Sequence, residues 1–338
     1  MRGLRARLIV LVGIAVLLLG GTGGYVLHVR ESQAQTRDRA PAVPTRDDVD
    51  AVRGQPHVIF RSTALGTGYG RVALVPLDDP AGPRVLTGRG CERVYATGTE
   101  TICLSAQRGL VTSYRAQLLD RDWAPRLDLP LTGIPSRARL SPDGSLAATT
   151  SFVAGDSYAN PGQFSTRTVI SRTGGEVVGD IEEFPLYVDG ALLTAVDKNL
   201  WGVTFADDDL FYATAASGGR TWLVRGSILH RRIEALHTDA ECPSLSPDGT
   251  RIVYKKRGDL PPGRWQLTAY DLGTGVETRL AETRSVDDQV EWLDNGQVIY
   301  GLPRDGGAAA SDVWRVPADG TGAPQLLISD AWSPAVVR

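Results

Sequence analysis

Only three lysines occur in the 338 residues, at Lys198, Lys255 and Lys256, and the one methionine is Met1. Nearly all positive charge is therefore arginine, a compositional bias that suggests a GC-rich bacterial genome and says nothing about chemistry. Histidine is almost as scarce (His28, His57, His230 and His237), and Cys91, Cys103 and Cys242 form no C-x-x-C pair. Together these absences exclude a zinc site of the usual ligand spacing. The first 30 residues contain no acid but carry Arg2, Arg5, Arg7 and Arg30, which leaves the rest of the chain with a net charge of −7. A domain this acidic, without a basic stripe, has nothing to grip a phosphate backbone, so nucleic acid is not a partner. No serine sits in a G-x-S-x-G elbow. Gly66-Thr67-Gly68-Tyr69-Gly70 has no following helix whose N-terminus could hold phosphate, so it reads as a turn.

One long apolar run is present, Leu8 to Leu27, with three arginines just before it. Twenty helical residues at about 1.5 Å each span roughly 30 Å of hydrocarbon. The reading is a cytoplasmic N-terminus over 1–7, a transmembrane signal-anchor helix over 8–28, and everything beyond it on the extracytoplasmic side of the cell membrane. A cleaved signal peptide, with Ser32-Gln33-Ala34 as the small-x-small site, is the rival. Residues 29–55 are polar, charged and proline-containing, without helical or strand period, and read as a flexible stalk.

From residue 56 to 338 short β-rich runs alternate with Gly, Pro, Asp and Asn. Ser141-Pro142-Asp143-Gly144 leads into Leu146–Thr149, and Ser246-Pro247-Asp248-Gly249 into Arg251–Tyr254. Asp207-Asp208-Asp209 and Leu293-Asp294-Asn295-Gly296 introduce further copies. Tyr212, Tyr254 and Tyr300 fall 42 and 46 residues apart. A repeat of 40–50 residues with four short strands is the mark of a propeller blade. Proline presets φ, aspartate bonds its local backbone and glycine takes the left-handed position, so Asp143 and Asp248 are turn residues. The fold class is all-β: a six-bladed β-propeller of four-stranded antiparallel blades. Inner strands are expected near Glu92–Tyr95, Arg137–Leu140, Trp201–Phe205, Pro243–Leu245, Val290–Leu293 and Ala331–Val337. The first visible strand, His57–Arg61, has no inner strand before it, so the C-terminal strand is expected to close blade one and remove an exposed edge.

Ser-Pro-Asp-Gly turns at blade spacing behind an export signal resemble the TolB-type propellers of bacterial envelopes. That resemblance implies a non-enzymatic platform that binds other envelope proteins. It covers the propeller only: the chain has no room for the separate N-terminal α/β domain of that family, and it carries an anchor.

Cys91 and Cys103 flank a hairpin turn at Ala96–Thr99 and share strand parity, which allows a disulfide in an exported protein; two buried thiols is the competing reading. Cys242 is left as a buried thiol. Long polar connections (62–70, 154–164, 184–199, 255–264, 282–289 and 303–311) share one face, and rigid scaffolds place function on such loops. Candidate binding residues there are Asp156, Tyr158, Asn160 and Phe164 on one blade-three loop, the basic Lys255, Lys256 and Arg257, and Arg284, Asp287 and Asp288 near the channel mouth. The adjacent acids Glu182-Glu183 and Asp287-Asp288 are read as strand neighbours pointing to opposite faces, which builds no acid/base dyad. No catalytic residue, metal or cofactor is expected; Asp207–Asp209 lacks the spacing of a Ca²⁺ loop. The expected partner is an envelope or secreted protein or peptide, bound by a monomeric propeller. A hydrolase or lyase acting on cell-wall glycan or peptide, and a carbohydrate or small-ligand sensor, are the rival functions.

Overall fold

The computed structural model describes residues 13, 14, 17–29, 31, 32, 42–109, 111–153, 165–304 and 310–338. They divide into two units, Met1–Ala42 with Ala64–Tyr69 and Val43–Thr63 with Gly70–Arg338. In the first unit, residues 17–29 are helical, with Leu17, Leu18 and Leu19 all exposed. Among the described residues no helix is long and apolar enough to cross a membrane. Tyr69 N–H donates to Gly66 O in a turn, as expected of that glycine-rich stretch.

The second unit is built from six antiparallel sheets, each containing four strands in simple up-and-down order. Their innermost strands are Ala331–Val337, Arg93–Ala96, Ile134–Leu140, Asn199–Phe205, Glu241–Leu245 and Glu291–Trp292, for blades one to six. Each touches the next, and the sixth returns to the first, so the ring is closed. In blade one the final strand pairs antiparallel with His57–Ser62, Val336 opposite Val58 and Val337 opposite His57.

Closure follows from how the strands bury their side chains. Successive residues of a strand point to opposite faces, and here each face meets a neighbouring blade. Val58 and Phe60 join the cluster with Ile299 and Val313 of blade six, whereas Ile59 joins the one with Val94 and Cys103 of blade two. Six such apolar clusters fill the six seams. Because both faces are covered, the second strands read as near-continuous apolar runs instead of clean alternations. The recurring turns behave as their composition requires. Ser141 Oγ donates to Asp143 Oδ1 at 2.6 Å and Gly144 takes φ +76°. Ser246 Oγ repeats the bond to Asp248 at 2.6 Å, with Gly249 at φ +70°.

Three expectations need correction. The stalk carries structure before its expected end: Thr45–Arg46 pairs parallel with Arg84 and Val85 at the outer edge of blade one. Val49–Arg53 then forms a helix whose Val52 is wholly buried. Pieces of two and five residues are too short to show a period in sequence. Second, the long connection 184–199 is partly strand, Leu186–Val188 and Ala191–Leu192 extending blade four to six strands. Third, not all connections on that face are long: blade four turns from Ser217 to Arg220 through Gly218 and Gly219 alone.

Candidate functional site: the channel and its mouth

The segment 287–291, which joins blade five to blade six, is held by residues from most of the ring. Arg93 of blade two and Arg137 of blade three approach the same Asp288 oxygen, at 3.5 and 3.8 Å. The other Asp288 oxygen accepts from Gly301 N–H at 3.2 Å in blade six. Gln289 Nε2 donates to Val203 O at 3.2 Å in blade four and to Pro243 O at 2.7 Å in blade five. Glu291 meets Arg139 of blade three at 3.2 Å and accepts from Tyr95 Oη of blade two at 3.4 Å. Blades three and six are opposite members of a six-membered ring, so these contacts cross the channel.

Local backbone geometry brings the strands this close. Gly202 sits at φ +68° in a bulge, where a Cβ would lie 2.9 Å from Cys242 Cα on the neighbouring inner strand. Cys242 is itself at φ +51°, a free and buried thiol as the sequence suggested.

The chemistry of the channel is ionic cross-linking. Asp288 and Glu291 are buried, and each is held by arginine, not by a second acid. Burial pulls the Arg93 guanidinium down to about 10, still charged near neutrality. Arg137 Nε and Gln289 Oε1 are buried without a hydrogen-bond partner among the described residues. The described residues contain no group of three His, Cys, Asp or Glu side chains able to hold a metal ion.

The candidate residues are dispersed rather than assembled. Asp156, Tyr158, Asn160 and Phe164 lie outside the described residues. Lys255 and Lys256 belong to the strand Arg251–Lys256 instead of a loop, so their side chains diverge. Lys255 is buried, bonded to Asp287 at 2.7 Å and 4.2 Å above the Trp265 ring. Lys256 pairs with Glu277 on the outer strand of the blade. Arg257 is exposed at the loop start, its N–H donating to Asp239 at 3.2 Å. Arg284 folds back onto buried Glu282 at 2.6 Å and stacks over Trp314 at 3.9 Å. Asp287 is largely exposed at the mouth, while its neighbour Asp288 is turned into the channel. The two acids do part company, but neither adjacent pair is on a strand: Glu182-Glu183 is in a 3₁₀ turn and Asp287-Asp288 in a connection.

Arg93, Tyr95, Arg137, Arg139 and Glu291 were missed, although they lie in segments identified as inner strands. Their signal was parity: Arg93 and Tyr95, like Arg137 and Arg139, are two apart and so share the channel-facing side. The expected disulfide is present between Cys91 and Cys103, with Cα atoms 5.5 Å apart.

No protein-family model matches the chain, and no curated protein matches its sequence. Solved structures do match its fold. TolB from Acinetobacter baumannii superposes with a TM-score of 0.58 at 15% identity, over 84% of this chain and 67% of that one. A chain of the nidogen/laminin complex gives 0.56 at 9% identity, over 83% and 98%. A putative TolB from Agrobacterium tumefaciens gives 0.49 at 14%, over 82% and 90%. The second unit has the TolB-like propeller fold.

Proposed function

We propose that this chain is a membrane-tethered, extracytoplasmic propeller that binds an envelope or secreted protein or peptide through its long-connection face, without catalysing a reaction. The observation that carries the reading is the state of the channel acids. Asp288 and Glu291 are each held by an arginine from across the channel, Arg93 of blade two at 3.5 Å and Arg139 of blade three at 3.2 Å. Carboxylates so buried and cross-linked are closed to a substrate, whereas an acid/base catalyst has to reach the proton it moves. What remains accessible around the mouth is a rim of mixed charge, including Asp287, Arg257 and Arg108. Such a rim suits a protein partner better than a small neutral ligand. Tethering is supported by the Leu8–Leu27 run and by the exposure of Leu17, Leu18 and Leu19 on all sides of their helix. No cofactor is assigned.

Proximity labelling from the full chain, followed by capture with purified candidates, tests the reading. Asp287→Arg with Arg257→Glu should abolish capture, whereas Asp143→Asn and Asp248→Asn on the opposite face should leave it intact. Capture indifferent to the mouth substitutions, or turnover of a wall fragment by the wild type, would refute it.

A further inference from the structure

The face carrying the short turns holds a cavity of about 670 Å³ at the seam of blades one and two. Its floor is apolar, formed by Ile59, Leu74, Ala96, Leu119 and Val337, and helix Val49–Arg53 runs into one wall. That helix is fixed by Val52, which is wholly buried among the residues of the seam. Its last residue, Arg53, is thereby placed at the rim, 4.3 Å above the ring of Trp123.

Trp123 is held in a conformation that L-residues avoid, with φ +65°. Non-glycine residues in this region are strained and persist only where surrounding structure enforces them. Here the turn does so: Trp123 N–H donates to Asp120 O at 3.1 Å, and Asp120 Oδ1 accepts from Asp122 and Ala124 N–H at 2.9 Å. The effect is to hold an indole upright beside the cavity.

The rim is rich in arginine, and its arginines are unequal. Arg126 pairs with Glu100 at 2.6 Å, and Arg338 donates to Trp292 O and Leu293 O at 2.9 and 2.8 Å. Arg53 and Arg121 make no hydrogen bond or ion pair with the described residues, and their like charges act on each other. Asp50 acts on Arg53 more strongly than Arg121 does, and Asp120 and Asp122 add to its attraction. None of them is bonded to either guanidinium. One acceptor completes the set. His57 is 6% exposed, and its Nδ1 faces Gln55 O at 2.8 Å, so that nitrogen carries the proton. Burial, with the Arg53 charge nearby, lowers the imidazole pKa, which keeps the ring neutral. Nε2 is then a lone-pair acceptor without a partner among the described residues.

We infer that this cavity binds a small organic acid: a carboxylate on Arg53 and Arg121, an apolar body on the floor beside Trp123, and an N–H or O–H donor to His57 Nε2. Two guanidiniums in the cavity lining that no carboxylate hydrogen-bonds keep their donors open to an anion, and planar guanidinium matches carboxylate geometry. The apolar floor supplies affinity while the three polar groups fix orientation. This site is separate from the long-connection face and does not depend on the function proposed there.

Isothermal titration of the full chain in lipid nanodiscs with N-benzoyl-leucine, which carries all three features, tests the assignment. Its uncharged carboxamide is the control. The acid should bind at least tenfold more tightly than the carboxamide. Arg121→Gln, at an exposed loop position outside the packed core, should remove that preference, and Arg53→Gln should do the same. His57→Phe should weaken acid and carboxamide alike. Equal binding of the two compounds, failure of the acid to bind, or an unchanged preference in Arg121→Gln would overturn the inference.

Discussion

Arg139 of blade three and Glu291 of blade six meet across the ring, 3.2 Å apart and both nine-tenths buried. A charge pair between opposite blades ties the ring along its diameter, where the seams tie only neighbours. Removing one member strands the other in a dry environment, which costs about 3–5 kcal/mol. Arg139→Ala or Glu291→Ala should lower urea-unfolding stability by that amount. The double replacement Arg139→Met with Glu291→Met should recover most of the loss.

Glu182 sets a pH dependence of its own. Burial raises its carboxyl pKa to about 7, against the opposing bond from Leu200 N–H at 3.1 Å. A carboxyl raised on folding holds its proton longer in the native state than in the unfolded chain. Its contribution is complete below about pH 4.5 and is lost as pH rises through 7. Denaturant midpoints measured at pH 5 and 8 should fall with pH in the wild type, and fall less in Glu182→Gln.

The Cys91–Cys103 bridge joins the end of blade one to the second strand of blade two. A short loop closed in the unfolded chain corresponds to roughly 2–4 kcal/mol. Cys91→Ser with Cys103→Ser should lower stability by this amount and abolish the sensitivity of the midpoint to reductant. Cys242→Ala should leave that sensitivity in place.

Deleting residues 331–338 removes the inner strand of blade one and strips His57–Ser62 of its partner. An uncovered, apolar edge pairs readily with another chain. Sedimentation should show self-association of the truncated protein, and thermal unfolding should lose its single cooperative transition. A monomeric, cooperatively folding truncation would show that the ring does not need its closing strand.

Much of this architecture was legible in the sequence because blade formation is local. Ser-Pro-Asp-Gly chemistry acts within five residues, strand runs within eight, and the spacing of Tyr212, Tyr254 and Tyr300 counts the units. The closing strand was legible by counting: Ala331–Val337 carries the inner-strand pattern that blade one needs, and it pairs with His57–Ser62. The fate of individual charges was not legible. Lys255, Arg284 and Asp288 look alike as loop or near-loop charges, yet each is consumed by a partner, Asp287, Glu282 and Arg93 respectively.

The amino-acid sequence alone thus determined the repeat, its turns and the closing strand, since these depend on interactions over a few residues or on a pattern that can be counted. Only the tertiary structure decided that the channel is cross-linked and that a cavity with unpaired arginines lies under the helix Val49–Arg53. Arg139 and Glu291 are 152 positions apart in the chain, and Arg53 and Trp123 are 70. Whether such groups meet depends on how the sheets twist around the ring, which no local pattern records.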